Sequence, residues 1–194
     1  MYQTPRHRVF ISFHHQDQAY KDWFVQMMGN DIVDESVGDG DIDDDKLATE
    51  TIRQRIRDNF IRDATVTVVL IGPCTWQRKH VDWEIGSSLR ETSRNSRCGL
   101  LGILLPNHPN YFTMQRNPRL IPPRLADNCT GFNPYAVVYK WPTIGRWSSV
   151  WQVQQAARDI RAWVHKAFQR RYGAPPTNSR PQFKRNRSGS CFTG

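Results

Sequence analysis

A chain of 194 residues with a formal charge of +9 has room for one domain of ordinary size and a tail, and too little for two substantial cores. Its longest aliphatic run, VTVVLIG, falls far short of the roughly 20 apolar residues of a membrane-spanning helix, so no membrane partner is expected. The opening MYQTPRHRVF lacks the apolar stretch of a secretory signal, and the four cysteines (Cys74, Cys98, Cys129, Cys191) form no CxxC pair, which fits a reducing cytoplasm without a disulfide framework or a zinc site.

The first predicted element is RVFISF, Arg8–Phe13, a β-branched and aromatic run without apolar/polar alternation. Continuous runs of this kind suit strands covered on both faces. A helix follows Asp17, which is placed to cap it; Tyr20, Phe24, Met27 and Met28 share one stripe. Ile32 and Val33 in DIVDESV give a weak signal for a second strand. Ala48, Ile52, Ile56 and Phe60 then recur at every fourth position of another helix. Strands are predicted again at Thr65–Gly72, Gly99–Leu105 and Ala136–Trp141. Helices are predicted after Pro73, with Val81, Ile85 and Leu89 inward, and from about Ser148, with Val153, Ala157, Ile160, Val164 and Ala167 inward. The proline-rich stretch 106–134 has no assigned element. Strands alternating with helices imply right-handed βαβ units, hence an α/β, flavodoxin-like, open and mostly parallel sheet with helices on both faces.

Beyond residue 173 the composition changes. APPTNSRPQFKRNRSGSCFTG carries four basic residues, three prolines and no acidic residue. Such a segment buries too little apolar surface to offset its ordering entropy, so one domain over 1–173 and a flexible basic tail over 174–194 are expected. Because much of the positive charge is concentrated late in the chain, nucleic acid is not expected as the main ligand.

Ligands of an open parallel sheet collect beyond the carboxyl ends of its strands, where strand order reverses. HHQD, PCTWQRKHVDWE and the acidic loop DESVGDGDIDDD should therefore meet at one rim. The loop alternates Asp39, Asp41, Asp43 and Asp45 and reaches Glu50, but Asp44 stands where a calcium loop needs glycine. Asp43–Asp45 read instead as charges favouring a helix N-terminus, and no metal is expected. No GxSxG elbow surrounds Ser12, and no glycine-rich phosphate loop occurs. Glu84 remains. It borders the buried stripe of Val81 and Ile85, with His80 one turn earlier and Trp76 and Trp83 nearby. A carboxylate at the edge of an aromatic cleft suits sugar hydroxyls and a positive charge developing on a ribose.

HRVFISFHHQD followed by VTVVLIGPCTWQRKHVDWEIGSSL resembles a TIR-type domain, and in particular the TIR-like ThsB proteins of the bacterial Thoeris anti-phage system. Phe10–Phe13 fill the opening strand of that pattern, and His80–Glu84 fill the segment that carries its catalytic glutamate. The resemblance implies a flavodoxin-like fold and an enzyme that cleaves the nicotinamide glycosidic bond of NAD+, here a substrate rather than a cofactor. It further implies a cyclic or modified ADP-ribose product activating a ThsA-like effector, a phage-derived trigger and self-association. By similarity Glu84 is the catalytic residue. Ser12, Phe13 and His14 at the mouth of the first strand are expected to contact the nucleotide. His80 and Val81 stand where the pattern has tryptophan and cysteine, so Trp76 or Phe13 is expected to supply the missing stacking surface. A non-enzymatic TIR-like interaction module is the alternative reading.

Overall fold

The computed structural model describes residues 5–29, 32–34, 61–92, 96–113, 117–145 and 147–191. The acidic loop and the helix predicted over Ala48–Phe60 lie outside the described residues. Five strands are present: β1 (His7–Ser12), β2 (Ile32–Asp34), β3 (Val66–Ile71), β4 (Gly99–Leu104) and β5 (Ala136–Lys140). All are parallel, in the order β2-β1-β3-β4-β5. The weak signal at Ile32 and Val33 does form a strand, three residues long, at the sheet edge.

The central pair β3 and β4 is apolar apart from Thr67 because both faces are covered. Every residue of β3 and of β4 is buried. Helix α1 (Gln18–Met28) turns Phe24 and Met28 inward, and α2 (Lys79–Ser88) turns Val81 and Ile85 inward. A five-residue helix α3 (Pro123–Asp127) and a 3-10 turn, Pro118–Leu120, occupy the previously unassigned proline-rich stretch. The longest helix, α4 (Val150–Arg170), starts at a capping box between Ser149 and Gln152 and buries Ala157, Ile160, Val164 and Ala167. Removing the Ile160 and Val164 side chains from water contributes roughly 1.5–3 kcal/mol each.

The C-terminal segment departs from the flexible tail expected from its composition. Residues 177–191 run as a strap along α2 and α3. Thr177 and Asn128 exchange two hydrogen bonds of 2.8 and 2.9 Å. Asn178 Nδ2 donates to the Gly86 carbonyl at 2.9 Å, and the Trp83 indole N–H donates to the Phe183 carbonyl at 2.9 Å. At the far end Cys191 is disulfide-bonded to Cys74, against the expectation of unpaired cysteines. The physical reason is that the strap is held by polar groups supplied from elsewhere, which its own composition does not reveal. The separation of 117 residues likewise hid the cysteine pair.

Candidate active site

The strand order reverses between β1 and β3, so their carboxyl ends open the rim predicted for ligands. Ser12 is the last residue of β1, is paired with Val69 of β3, and is fully buried. Its Oγ donates a 2.6 Å hydrogen bond to Oε2 of Glu84. Two sequence-predicted residues 72 positions apart thus meet in one contact. The helix places Glu84 there by its phase: Val81 and Ile85 fix the buried face of α2, and Glu84 lies at the border of that face.

The residue is half-buried, reachable from solvent, while its carboxyl end is turned toward the sheet. Loss of hydration disfavours the charged form and pushes the Glu84 carboxyl up from the ordinary 4.5 to about 8; the Ser12 hydrogen bond opposes this, in the weaker sense, by stabilising the anion. The group therefore holds its proton through neutral pH until an alkaline medium or a nearby cation removes it. A carboxyl of this kind can donate its proton and, once ionised, accept one or support developing positive charge in a poorly hydrated niche.

A second carboxylate lies at the same end of the sheet. Asp17 occupies the position before α1 but makes no side-chain cap hydrogen bond, contrary to the capping role read from the sequence. Its side chain is buried, accepts a 2.9 Å hydrogen bond from Asn107 Nδ2, and rests against Gly72, where any Cβ would overlap the carboxylate. Burial raises its pKa, and Asn107 opposes the rise. The requirement for glycine directly after β3 was a usable signal of this close approach.

The other predicted contacts separate. Phe13 is partly buried and packs against the core. His14 is buried, its carbonyl accepts from the Asp17 N–H at 2.7 Å, and its ring meets the His15 ring edge-on at 4.1 Å. His80 is exposed at the start of α2, edge-on to Trp83 with ring centroids 5.6 Å apart. Trp76 lies on a turn, Thr75–Gln77, covered by the strap: the Arg187 guanidinium is 5.5 Å from its ring, and a Cβ on Gly189 would sit 3.0 Å from it. It lines a groove that shares no lining residue with Ser12 or Glu84. The expected stacking role of Trp76 beside Glu84 is therefore not supported. The reason is the 3-10 turn, which carries the indole toward the strap instead of toward the end of β1.

Sequence reasoning also missed Asp82. Two residues before Glu84, it is buried with Arg124 in a bidentate ion pair of 3.0 and 3.2 Å. It also accepts the Phe183 N–H at 3.0 Å, and Arg124 donates to Asn178 at 2.8 Å. One carboxylate of α2 thus clamps α3 and the strap while the other faces the end of β1.

A five-stranded parallel sheet with a desolvated carboxyl beside the end of its first strand defines a flavodoxin-like, TIR-like α/β domain. The model of the family described as Thoeris protein ThsB, TIR-like domain, matches residues 10–110, and the chain belongs to that family. The match covers the end of β1 from Phe10 and all of α2, and so both Ser12 and Glu84. No curated protein matches the chain.

Proposed function

We propose that this Thoeris-related TIR-like protein consumes NAD+ by cleaving its nicotinamide glycosidic bond, and that the ADP-ribosyl product is cyclised or otherwise modified into a signal for a ThsA-like effector during phage infection. The observation that carries this reading is the 2.6 Å hydrogen bond between Ser12 and the desolvated Glu84 carboxyl at the strand-order switch point.

When the bond between ribose C1′ and the ring nitrogen breaks, its electron pair leaves with nicotinamide, whose ring becomes neutral. The ribose is left as an oxocarbenium ion, and the Glu84 carboxylate stabilises that charge until a nucleophile closes the product. Ser12 holds the carboxylate in one orientation. The substrate contributes to its own activation: its pyridinium cation favours the ionised form of the adjacent carboxyl, drawing the pKa down from about 8. Without a cation in place the carboxyl stays protonated, and low activity is expected of the unstimulated protein.

The sign of the pH dependence follows. For the free protein, kcat/KM for nicotinamide release should rise with pH and reach half its plateau near 8, whereas kcat should reach half its plateau at a lower pH because bound substrate is cationic. The measurement is nicotinamide release from NAD+ between pH 5.5 and 9.5, as a range wide enough to bracket both midpoints, with lysate of phage-infected cells supplied as stimulus. A rate that falls with pH across this range would remove the ionised Glu84 from the mechanism, and a flat one would place its pKa in the ordinary carboxyl region instead of near 8.

A further inference from the structure

The groove lined by Trp76 is built from three pieces of chain that the fold brings together. The turn after β3 supplies Trp76, the Pro118–Leu120 turn with the start of α3 supplies Leu120 and Pro123, and the strap supplies Arg180 and Arg187. Its volume is about 770 Å³, within the roughly 300–1,000 Å³ of small-molecule sites.

Charge in the groove is unbalanced. Arg180 is taken up by Asp127 in a two-pronged pair of 2.6 and 2.6 Å. Arg119 and Arg187 also line it, and among the described residues neither has a carboxylate partner. Arg187 is held between the Trp76 and Phe183 rings at 5.5 Å from each, contacts that position a guanidinium without neutralising it. Planar guanidinium groups match phosphate oxygens in pairs, and an indole beside aliphatic and proline carbons offers a flat apolar wall. The ligand chemistry this combination fits is a planar heteroaromatic ring carrying an anionic phosphate.

We propose that this groove is a second binding site, separate from the Glu84 centre, for a nucleoside phosphate whose base lies on the Trp76, Leu120 and Pro123 wall and whose phosphate is held by Arg119 and Arg187. The strap supplies Arg180 and Arg187 to the site, and it is tied back by the Cys74–Cys191 disulfide next to Trp76. Occupancy and strap docking are therefore linked, each favouring the other.

The test is isothermal titration calorimetry with ADP at low salt, with adenosine and inorganic phosphate titrated separately. The full chain should bind ADP more tightly than either fragment. Arg187→Glu and Arg119→Glu, both at exposed positions, should each weaken ADP at least tenfold, while Lys184→Glu, a reversal on the strap outside the groove lining, should leave it unchanged. Thermal melts of the variants check that each is folded. An ADP affinity equal in wild type and both arginine variants would overturn the proposal. So would an equal loss in Lys184→Glu, which would reduce the effect to overall charge. Inorganic phosphate binding as tightly as ADP would remove the base from the recognition, and a preference for an oligonucleotide over ADP would make the surface a nucleic-acid site instead.

Discussion

Glu84→Gln is expected to fold normally and to lose NAD+ consumption by about a thousandfold, the order lost when a single group stabilising transition-state charge is removed. The amide is nearly isosteric and keeps an oxygen to accept the Ser12 hydroxyl, so the 2.6 Å contact can persist. What it cannot do is ionise. Stability provides the control. Glu84 has its pKa raised on folding, so the stabilisation it gives is fully present below about 4.5 and is lost as pH rises toward about 8. The glutamine variant carries no such loss, and its melting temperature should gain on wild type through that interval and then level off. An inactive variant that melts at or above the wild-type temperature separates lost chemistry from lost fold. The readout is NAD+ and nicotinamide by mass spectrometry in cells challenged with phage. A pure interaction module would retain defence in this variant.

The largest effect on stability is expected at Asp82. Arg124 is 1 % exposed, and Asp82→Ala would leave its charge buried without its bidentate partner while also orphaning the Phe183 N–H. Breaking a buried pair by removing one member costs about 3–5 kcal/mol. For a chain of this size each kcal/mol shifts the melting temperature by about 2–4 °C. The double variant Asp82→Ala, Arg124→Met removes the stranded charge and should recover part of the loss. Urea denaturation of the three proteins measures this. The strap should also loosen, seen as faster hydrogen exchange at the Phe183 amide than at amides of β4. A loss below about 1 kcal/mol in the single variant would mean that the pair does not hold the strap.

What could be read from the sequence was what short-range pattern encodes. β3 and β4 are apolar apart from Thr67 because helices cover both faces, and their ends fell within a residue of the prediction. Glu84 stood out because Val81 and Ile85 set the helix phase around it. Ser12 followed from its place at the end of β1, and the two side chains meet in a 2.6 Å hydrogen bond. The misreadings share one cause, since they concern groups whose partners lie far away in the chain. The strap looked free because its anchors are Asp82, Arg124 and Asn128. Trp76 looked like a wall for the Glu84 cleft because a 3-10 turn at Thr75–Gln77 was not anticipated. Asp17 looked like a cap because that is the commonest use of aspartate before a helix, yet Gly72 and Asn107 draw it inward.

The account depends on a carboxyl at position 84 that keeps its proton in a dry niche at neutral pH. The most direct measurement is the pH titration of the ¹³C shift of the Glu84 carboxyl, assigned by the signal missing from Glu84→Gln, and it needs no trigger and no turnover. The predicted midpoint is near 8, moving higher still in Ser12→Ala because the hydroxyl favours the anion. A midpoint near 4.5 that is indifferent to Ser12 would mark Glu84 as an ordinary hydrated glutamate and contradict the site.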